Sequence, residues 1–404
     1  MPRRSTESDK LLLVPARFTA LLFVALPAAA QITITLTGQS MLRSDLRQTA
    51  PGAIPIIQSL LKGDVIFTNF EAAIAEKGET VSEGRGFLSP PESLDALKTL
   101  GFNLLSFSDN HAFDLKATGI RNTIREADTR NLVHAGTGSN LSEASSPAYL
   151  RTPKGIVALV ASASGLMTPG AGATLEHPGV NELRVEAGGQ PNEATSDLPG
   201  EAANSPNAED ARRILQSIRD ARAHADLVVV YQHNHVFANR SFHTIFTEGL
   251  QERLMPNDWL KRWTHAEVDA GADIVVMHGA PLLHGIEIYR GKPIFYDLGN
   301  FIYNVPPTLF YISEPMSWES VVAYVEFRGK SMASISLRPI VMNYVGEGQP
   351  DIHDPYDANR FLLTRGLPSP AVGATAGYIL ERISELSKPF GTQLQITGDT
   401  AVVR

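Results

Sequence analysis

Five short apolar runs in this chain each stop abruptly at an amide, carboxylate or imidazole side chain, and no other feature constrains its folding as strongly. ITITLT (32–37) runs into Gly38-Gln39-Ser40, and DVIFT (64–68) into Asn69-Phe70-Glu71. NLLSFS (103–108) runs into Asp109-Asn110-His111, DLVVVY (226–231) into Gln232-His233-Asn234-His235, and DIVVM (273–277) into His278-Gly279. Runs of this length bounded by polar residues read as buried strands. In open α/β sheets a ligand site lies beyond the carboxyl ends of the strands. Five such ends bearing nitrogen and oxygen donors therefore point to one common site.

Between these runs the periodicity is helical. Pro91 to Leu100 carries Leu94, Leu97 and Leu100 at helical spacing, and residues 116–130 form a second stretch that ends before Asn131. Asp210 to Ala221 places Ile214 and Ile218 four apart, and residues 254–270 precede the run at Asp273. Strand and helix in alternation predict an α/β fold. Later the rhythm changes. Glu319–Phe327 and Ser331–Pro339 read as two strands joined near Gly329, an antiparallel hairpin added at the sheet edge. Residues 166–207, rich in Gly, Pro, Asn, Ala and Glu, read as a long surface insertion near the site. Residues 366–404 read as a C-terminal extension on the same domain, with a helix at 377–386 and a strand-like piece at 393–403.

Composition narrows the function classes. A net charge of −8 over 404 residues leaves no basic footprint for nucleic acid. The absence of cysteine removes disulfides, thiolate zinc sites and thiol nucleophiles together. Arg3, Arg4, Lys10 and Arg17 precede or interrupt the apolar run Phe18–Leu26, and Pro27-Ala28-Ala29-Ala30 follows. This reads as a secretory signal over residues 1–30, cleaved near Ala30–Gln31, and the run is short for a membrane span. The expected product is an exported domain over 31–365, periplasmic or extracellular, with no membrane span in the mature chain.

Metal ligation needs neutral imidazole nitrogens or oxygen donors held convergently by rigid elements. His111, His233, His235 and His278 supply nitrogen, and Glu71, Asn69 and Asn110 supply oxygen. Asp114, three residues past His111, is placed either to take the imidazole N–H or to cap a helix. Asp297-Leu298-Gly299-Asn300 reads as a turn or, from its strand-end position, as a site contact with Asn300. Glu287 reads as structural. There is no Gly-x-Ser-x-Gly pattern and no phosphate-cradling glycine loop, which leaves serine-hydrolase and dinucleotide readings without support.

The order of these motifs over residues 33–305 resembles the CapA-type family of bacterial capsule (poly-γ-glutamate) synthesis proteins, whose fold is similar to that of calcineurin-like metallophosphoesterases. The resemblance rests on Thr68-Asn69-Phe70-Glu71, on Ser108 through Asp114 with Gly119, and on His134-Ala135-Gly136-Thr137-Gly138. It continues through Gln232-His233-Asn234-His235, through Gly271 to Glu287, and most strongly through Gly291-Lys292-Pro293-Ile294-Phe295-Tyr296-Asp297-Leu298-Gly299-Asn300-Phe301. It implies a metallophosphatase-like four-layer α/β/β/α sandwich with a strand-end site. Carried over by position, Glu71, Asn110, His233 and His278 are expected metal ligands, with His111 at a matching place. His111, His233 and Asp114 are the expected catalytic groups; Asn69, His235 and Asn300 are expected to contact substrate. A divalent ion of the Mn, Fe or Zn type is the implied cofactor. The implied partners are a cell-envelope polymer or its precursor and envelope-assembly proteins. Two departures matter. The first strand of the family usually ends in Gly-Asp, and here that position is Gln39, with Asp45 nearby in sequence. Pro281 stands where many relatives place another histidine. Both changes lower ligand charge and number, so one metal or a weakly held pair is expected. The expectation is a metal-dependent hydrolase acting on a phosphoester or amide, the alternative a non-catalytic polymer-binding or export-assembly protein.

Overall fold

Alternation along the runs sorts their side chains between two faces, and the computed structural model shows what each face meets. It describes residue 1 and residues 31–81, 86–186, 204–237, 253–305, 315–344 and 364–404. Beyond Met1 the expected leader lies outside the described residues, as does 187–203 of the expected insertion. The first half contributes β1 (Gln31–Leu36), β2 (Val65–Asn69), β3 (Leu104–Ser106), β4 (Val133–Ala135), β5 (Ala148–Thr152) and β6 (Gly155–Ser164). The second contributes β7 (Leu227–Asn234), β8 (Ile274–His278), β9 (Ile286–Tyr289) and β10 (Lys292–Phe295). The late strands are β11 (Glu319–Arg328), β12 (Ser331–Met342), β13 (Leu394–Thr397) and β14 (Thr400–Val403).

One sheet runs β13-β14-β12-β11-β1-β2-β3-β4, with Pro368–Pro370 pairing onto β12. The other runs β9-β10-β8-β7-β6-β5. Ile32, Ile34, Leu36, Val65 and Phe67 face Val157, Leu159, Val229, Tyr231, Ile274 and Val276 in one buried core between the sheets. The opposite face of the first sheet, with Ile66, Leu105 and Val322, is covered by α1 (Glu92–Leu100) and its neighbours. The last turn of α2 (Lys116–Thr129) adds Ala127 to that layer. The opposite face of the second sheet, with Val160, Val230 and Val275, is covered by Ile214 and Ile218 of α3 (Ala208–His224). Trp259 and Trp263 of α4 (Asp258–Ala270) cover the rest. The result is a four-layer α/β/β/α sandwich. Helix α5 (Gly373–Ser387) packs Ile379, Leu380 and Ile383 into the core between the sheets. Among the described residues no helix is long and apolar enough to cross a membrane.

Two expectations need correction. The late hairpin is not the edge of its sheet: β11 pairs antiparallel with β1, and β12 is followed outward by β14 and β13, so the C-terminal hairpin is the edge. Strand β7 does not stop at Tyr231 but continues through Gln232, His233 and Asn234, because its partners β6 and β8 keep pairing that far. A further strand reaching the same end, β6, was not legible as such, because it closes on Ser162 and Ser164 rather than on an amide or imidazole.

Candidate active site

The strand ends of both sheets meet because the loops leaving them interlock. Beyond β1, Thr37 donates its N–H to the Phe67 carbonyl (3.2 Å), and Gln39 donates to the Gly299 carbonyl (3.0 Å). A side chain at Gly38 would put its Cβ 2.5 Å from the backbone of Gly299 and Asn300, so only glycine allows this approach. Gln39–Met41 then pairs in parallel with Asn300–Tyr303, with Asn300 opposite Gln39. Glu71 donates its N–H to the Ser40 carbonyl (3.1 Å), which sets its side chain beyond the end of β2.

From the second sheet, His233 of β7 stands in register with His278 of β8. Two contacts cross from sheet to sheet. His233 Nε2 lies 3.7 Å from Glu71 Oε1, and His278 Nε2 donates to the Thr37 carbonyl at 3.0 Å. His233 Nδ1 is 3.1 Å from the Tyr231 hydroxyl, and the His235 ring meets the His233 ring edge-on, with centroids 4.7 Å apart. Asn300 donates Nδ2 to the Ser317 carbonyl (2.9 Å).

The turn after β3 builds the solvent side. Asp109 Oδ1 accepts the N–H groups of His111 (2.9 Å) and Ala112 (2.8 Å), and this presents the His111 imidazole. His111 Nδ1 donates to Asp114 Oδ2 at 2.7 Å, and the same oxygen accepts the Phe87 N–H at 2.6 Å. Of the two roles open to Asp114, the structure shows the imidazole contact; α2 has Leu115 at its N-cap and no side-chain cap. His111 is 27% exposed, whereas His233 and His278 are buried.

Several buried atoms here have no hydrogen-bond partner among the described residues: Gln39 Oε1, both Asn69 amide atoms, Glu71 Oε2, Asp109 Oδ2, Asn110 Oδ1, His233 Nε2, His278 Nδ1 and Asn300 Oδ1. Unpartnered buried polar atoms are uncommon, and a group of them at one place calls for an explanation. Their electrostatics are consistent with one another. Burial holds Glu71 well above the usual carboxylate range, and the charges of Asp109, Asp297 and Asp114 push it further. Burial also raises Asp109 and takes Asp297 to about 8, although Asp297 accepts from Gly299 and Ala280. Burial lowers His278 to about 3, against the pull of the Thr37 carbonyl, and burial with the neighbouring His235, His278 and His111 holds His233 well below the usual imidazole range. Burial thus favours the neutral imidazoles and the protonated carboxyls.

The expected residues Glu71, Asn69, Asn110, His111, Asp114, His233, His235, His278 and Asn300 thus sit at or beside one set of strand ends. Asp45 does not: it caps Leu46–Thr49 through the Arg47 N–H (3.1 Å) and pairs with the Arg47 guanidinium (2.8 Å). Arg43 is buried with its guanidinium carbon 4.0 Å above the Phe87 ring, donating to the Asn304 carbonyl. Among the described residues, no three His, Asp or Glu side chains form a group able to hold a metal ion. Three participants escaped the motif reading. Asp109 stood inside a motif with no role assigned, Tyr231 looked like one more apolar strand residue, and the Thr37 carbonyl has no side-chain signal at all.

The profile of a family described as bacterial capsule synthesis protein PGA_cap matches residues 33–305. The uncharacterized protein y4sH of Sinorhizobium fredii is 29% identical over 435 residues, 88% of this chain and 88% of that protein. The PGA biosynthesis protein CapA of Bacillus subtilis is 30% identical over 213 residues, 53% of this chain and 46% of that protein. Among solved structures, a phosphatase from Mycoplasma pneumoniae aligns over 78% of this chain and 94% of its own, at 10% identity and a TM-score of 0.43.

Proposed function

Since the chain belongs to the bacterial capsule synthesis protein family PGA_cap, we propose that it is an exported protein of cell-envelope polymer biosynthesis whose strand-end site is a metal-dependent hydrolase centre. The observation that carries this reading is the 3.7 Å contact between buried His233 Nε2 and Glu71 Oε1, brought together from two different sheets. The donor types present suit one divalent cation, and no three His, Asp or Glu side chains among the described residues are grouped to hold one. Glu71 and His233 are in mutual contact, His278 offers a lone pair, and the amide oxygens of Asn69, Asn110 and Gln39 are neutral supplements. Neutral imidazole and carboxylate oxygen suit a borderline ion of the Mn, Fe or Zn type. With Gln39 neutral, a second ion lacks the carboxylate needed to bridge a pair. A cation would also favour the ionised form of these carboxyls, which burial disfavours.

When bound, the ion supplies Lewis acidity toward a phosphoryl or amide oxygen. The side chains do the rest. His111, fixed by Asp114 as the Nδ1–H tautomer and partly exposed, serves as the group that exchanges a proton with the leaving atom. Asp114 holds that ring in place and ties it to the 87 backbone. Asn69 and Asn300, buried beside the donors, and the partly exposed His235 orient the substrate.

The test is metal content and turnover of the full chain with phosphodiesters and polyglutamyl amides, with and without chelation. A protein that retains no metal and turns over neither class would overturn the hydrolase reading. A second reading, a polymer-binding or export-assembly protein on the same scaffold, is favoured by Gln39. It predicts binding to anionic polymer that persists through chelation and through His233→Ala.

A further inference from the structure

A chain of buried hydrogen bonds runs from the outer helix layer to the turn after β7. Trp263 of α4 donates its indole N–H to Gln232 Oε1 at 2.7 Å, and Gln232 Nε2 donates to Ser164 Oγ at 2.9 Å. Ser164 Oγ lies 2.8 Å from Asn234 Oδ1 and 3.5 Å from the His233 carbonyl, so its proton goes to Asn234. Asn234 Oδ1 also accepts the Val236 N–H at 3.2 Å, and its Nδ2 donates to the Val236 carbonyl at 3.3 Å. All four side chains are buried. The two ends of the chain fix one direction independently. An indole N–H can only donate, which turns the Gln232 oxygen toward Trp263 and its NH2 toward Ser164. The Val236 N–H needs an acceptor, which turns the Asn234 oxygen toward Ser164 as well. Glu267 also bears on the Trp263 indole, but neither of its oxygens stands in hydrogen-bonding geometry to a described residue, so the bond is to Gln232. The chain ends around His235. Asn234 bridges over it to residue 236, and His235 donates its N–H to the Ser164 carbonyl at 2.8 Å. The His235 ring meets the Gly279 backbone. Gly165 and Gly279, both at positive φ, close on the same turn: an added Cβ would stand 2.8 Å from the His235 carbonyl carbon and 2.2 Å from the Asn234 carbonyl oxygen, respectively.

We propose that Trp263, Gln232 and Ser164 are positioning residues for His235: the indole N–H of α4 sets the sense of the chain, and the chain fixes the turn that presents the imidazole. Without the indole donor, nothing keeps the Gln232 oxygen directed at α4. Turned over, that oxygen takes the Ser164 proton, and Asn234 Oδ1 loses one of its two donors. A phenylalanine at 263 keeps an aromatic ring in the layer between α4 and the second sheet and removes the N–H. An alanine at 164 keeps the carbonyl bond to His235 and removes the hydroxyl. Trp263 and Ser164 are two hydrogen bonds apart, so any coupling between them passes through Gln232. The chain consists of neutral groups and needs no bound ion. Its role for substrate rests on the reading above that His235 orients the substrate; the positioning of the ring does not.

The experiment is NMR of the full chain, without metal or substrate, with amide hydrogen exchange on the same samples. In the native chain the Gln232 NH2 protons are expected to lie closer to the Ser164 Hβ protons than to the Trp263 indole proton. Trp263→Phe and Ser164→Ala are each expected to shift the His235 ring resonances and to speed exchange of the Val236 N–H about tenfold relative to the strand amides of Val229 and Val275. A packing role alone would speed all three amides alike. Combined, the two substitutions should do no more than Ser164→Ala alone, since both break one chain. A Gln232 NH2 turned to the indole, a Val236 N–H untouched by Trp263→Phe, or effects that multiply in the double variant would each overturn the proposal. The Gln232 result comes from the native chain, so it decides even where a variant fails to fold. With bis(4-nitrophenyl) phosphate and poly-γ-glutamate, a loosened His235 is expected to raise KM about tenfold with kcat little changed, the mark of lost binding. An unchanged KM in a variant whose turn has loosened would overturn the role for substrate. If the native chain hydrolyses neither, the hydrolase reading fails, while the NMR and exchange results still decide the positioning.

Discussion

His278 Nε2 donates to the backbone carbonyl of Thr37 at 3.0 Å, across the gap between the two sheets. This one bond joins the ends of β1 and β8, which are 241 positions apart in the chain. It also settles which imidazole nitrogen is free. Replacing His278 with alanine leaves the Thr37 carbonyl buried and unpaired, at a cost of about 1–3 kcal/mol. The expected outcome is a lower urea midpoint in the metal-free chain, together with lower metal content. Loss of metal with an unchanged midpoint would mean that the Thr37 contact carries no stability.

Restoring a carboxylate at position 39 tests the low ligand charge directly. In the metal-free chain, Gln39→Asp adds a negative group next to the already crowded Glu71, Asp109 and Asp297, so its melting temperature should fall. With Mn²⁺ or Zn²⁺ present the order should reverse, and metal analysis should show a higher stoichiometry than in the native chain. An equal response to metal in the two proteins would place position 39 outside the ligand shell.

The His111–Asp114 pair should separate turnover from binding. His111→Ala is expected to lower kcat about 10²–10⁴-fold on any substrate the chain hydrolyses. Metal content should stay unchanged, because the His111 ring is the solvent-side group and not one of the buried donors. A parallel loss of metal and activity would move His111 into the ligand set.

Asp45 is committed to a helix cap, so Asp45→Ala should cost about 1 kcal/mol and leave metal binding intact. Thermal melts and metal analysis on the same sample decide this. A drop in metal content would show that Asp45 reaches the site after all.

Glu267 on α4 is buried, and neither of its carboxyl oxygens meets the geometry of a hydrogen bond to a described residue. Burial pushes it up to about 8, against a smaller opposing effect of Trp263. The native state therefore keeps a proton that the unfolded chain loses from about pH 4.5 upward. Stability is unaffected below that pH, falls as pH rises toward about 8, and is level above. Glu267→Gln should accordingly be more stable than the native chain at pH 8, by up to a few kcal/mol, with the advantage gone at pH 4. A pH-independent difference in melting temperature would contradict this origin.

Much of the architecture was legible because burial imposes a period. ITITLT and DIVVM alternate or run apolar as strands must, and Leu94, Leu97 and Leu100 mark one face of a helix. The order of strands was less legible. The hairpin Glu319–Met342 is locally a plain antiparallel pair, and nothing local says that it adds to β1 on one side while receiving the C-terminal strands on the other. The strand ending at Ser164 went unread as part of the site because serine is an ordinary strand residue.

For the site the division has a physical cause. Side-chain chemistry is a property of residue type, so the donors Glu71, Asn110, His111, His233 and His278 could be named from the chain alone, and Gln39 could be marked as the neutral exception. Which nitrogen of each histidine is free depends on what lies against the other one. Those neighbours are a backbone carbonyl 241 residues away for His278 and a hydroxyl two residues back on the same strand for His233. Hydrogen-bond direction depends on distance and burial, and both come into being only when the two sheets close on each other. The residues thus carried the donor types at the strand ends, and the packing of the sheets decided which of their atoms are buried and which find partners.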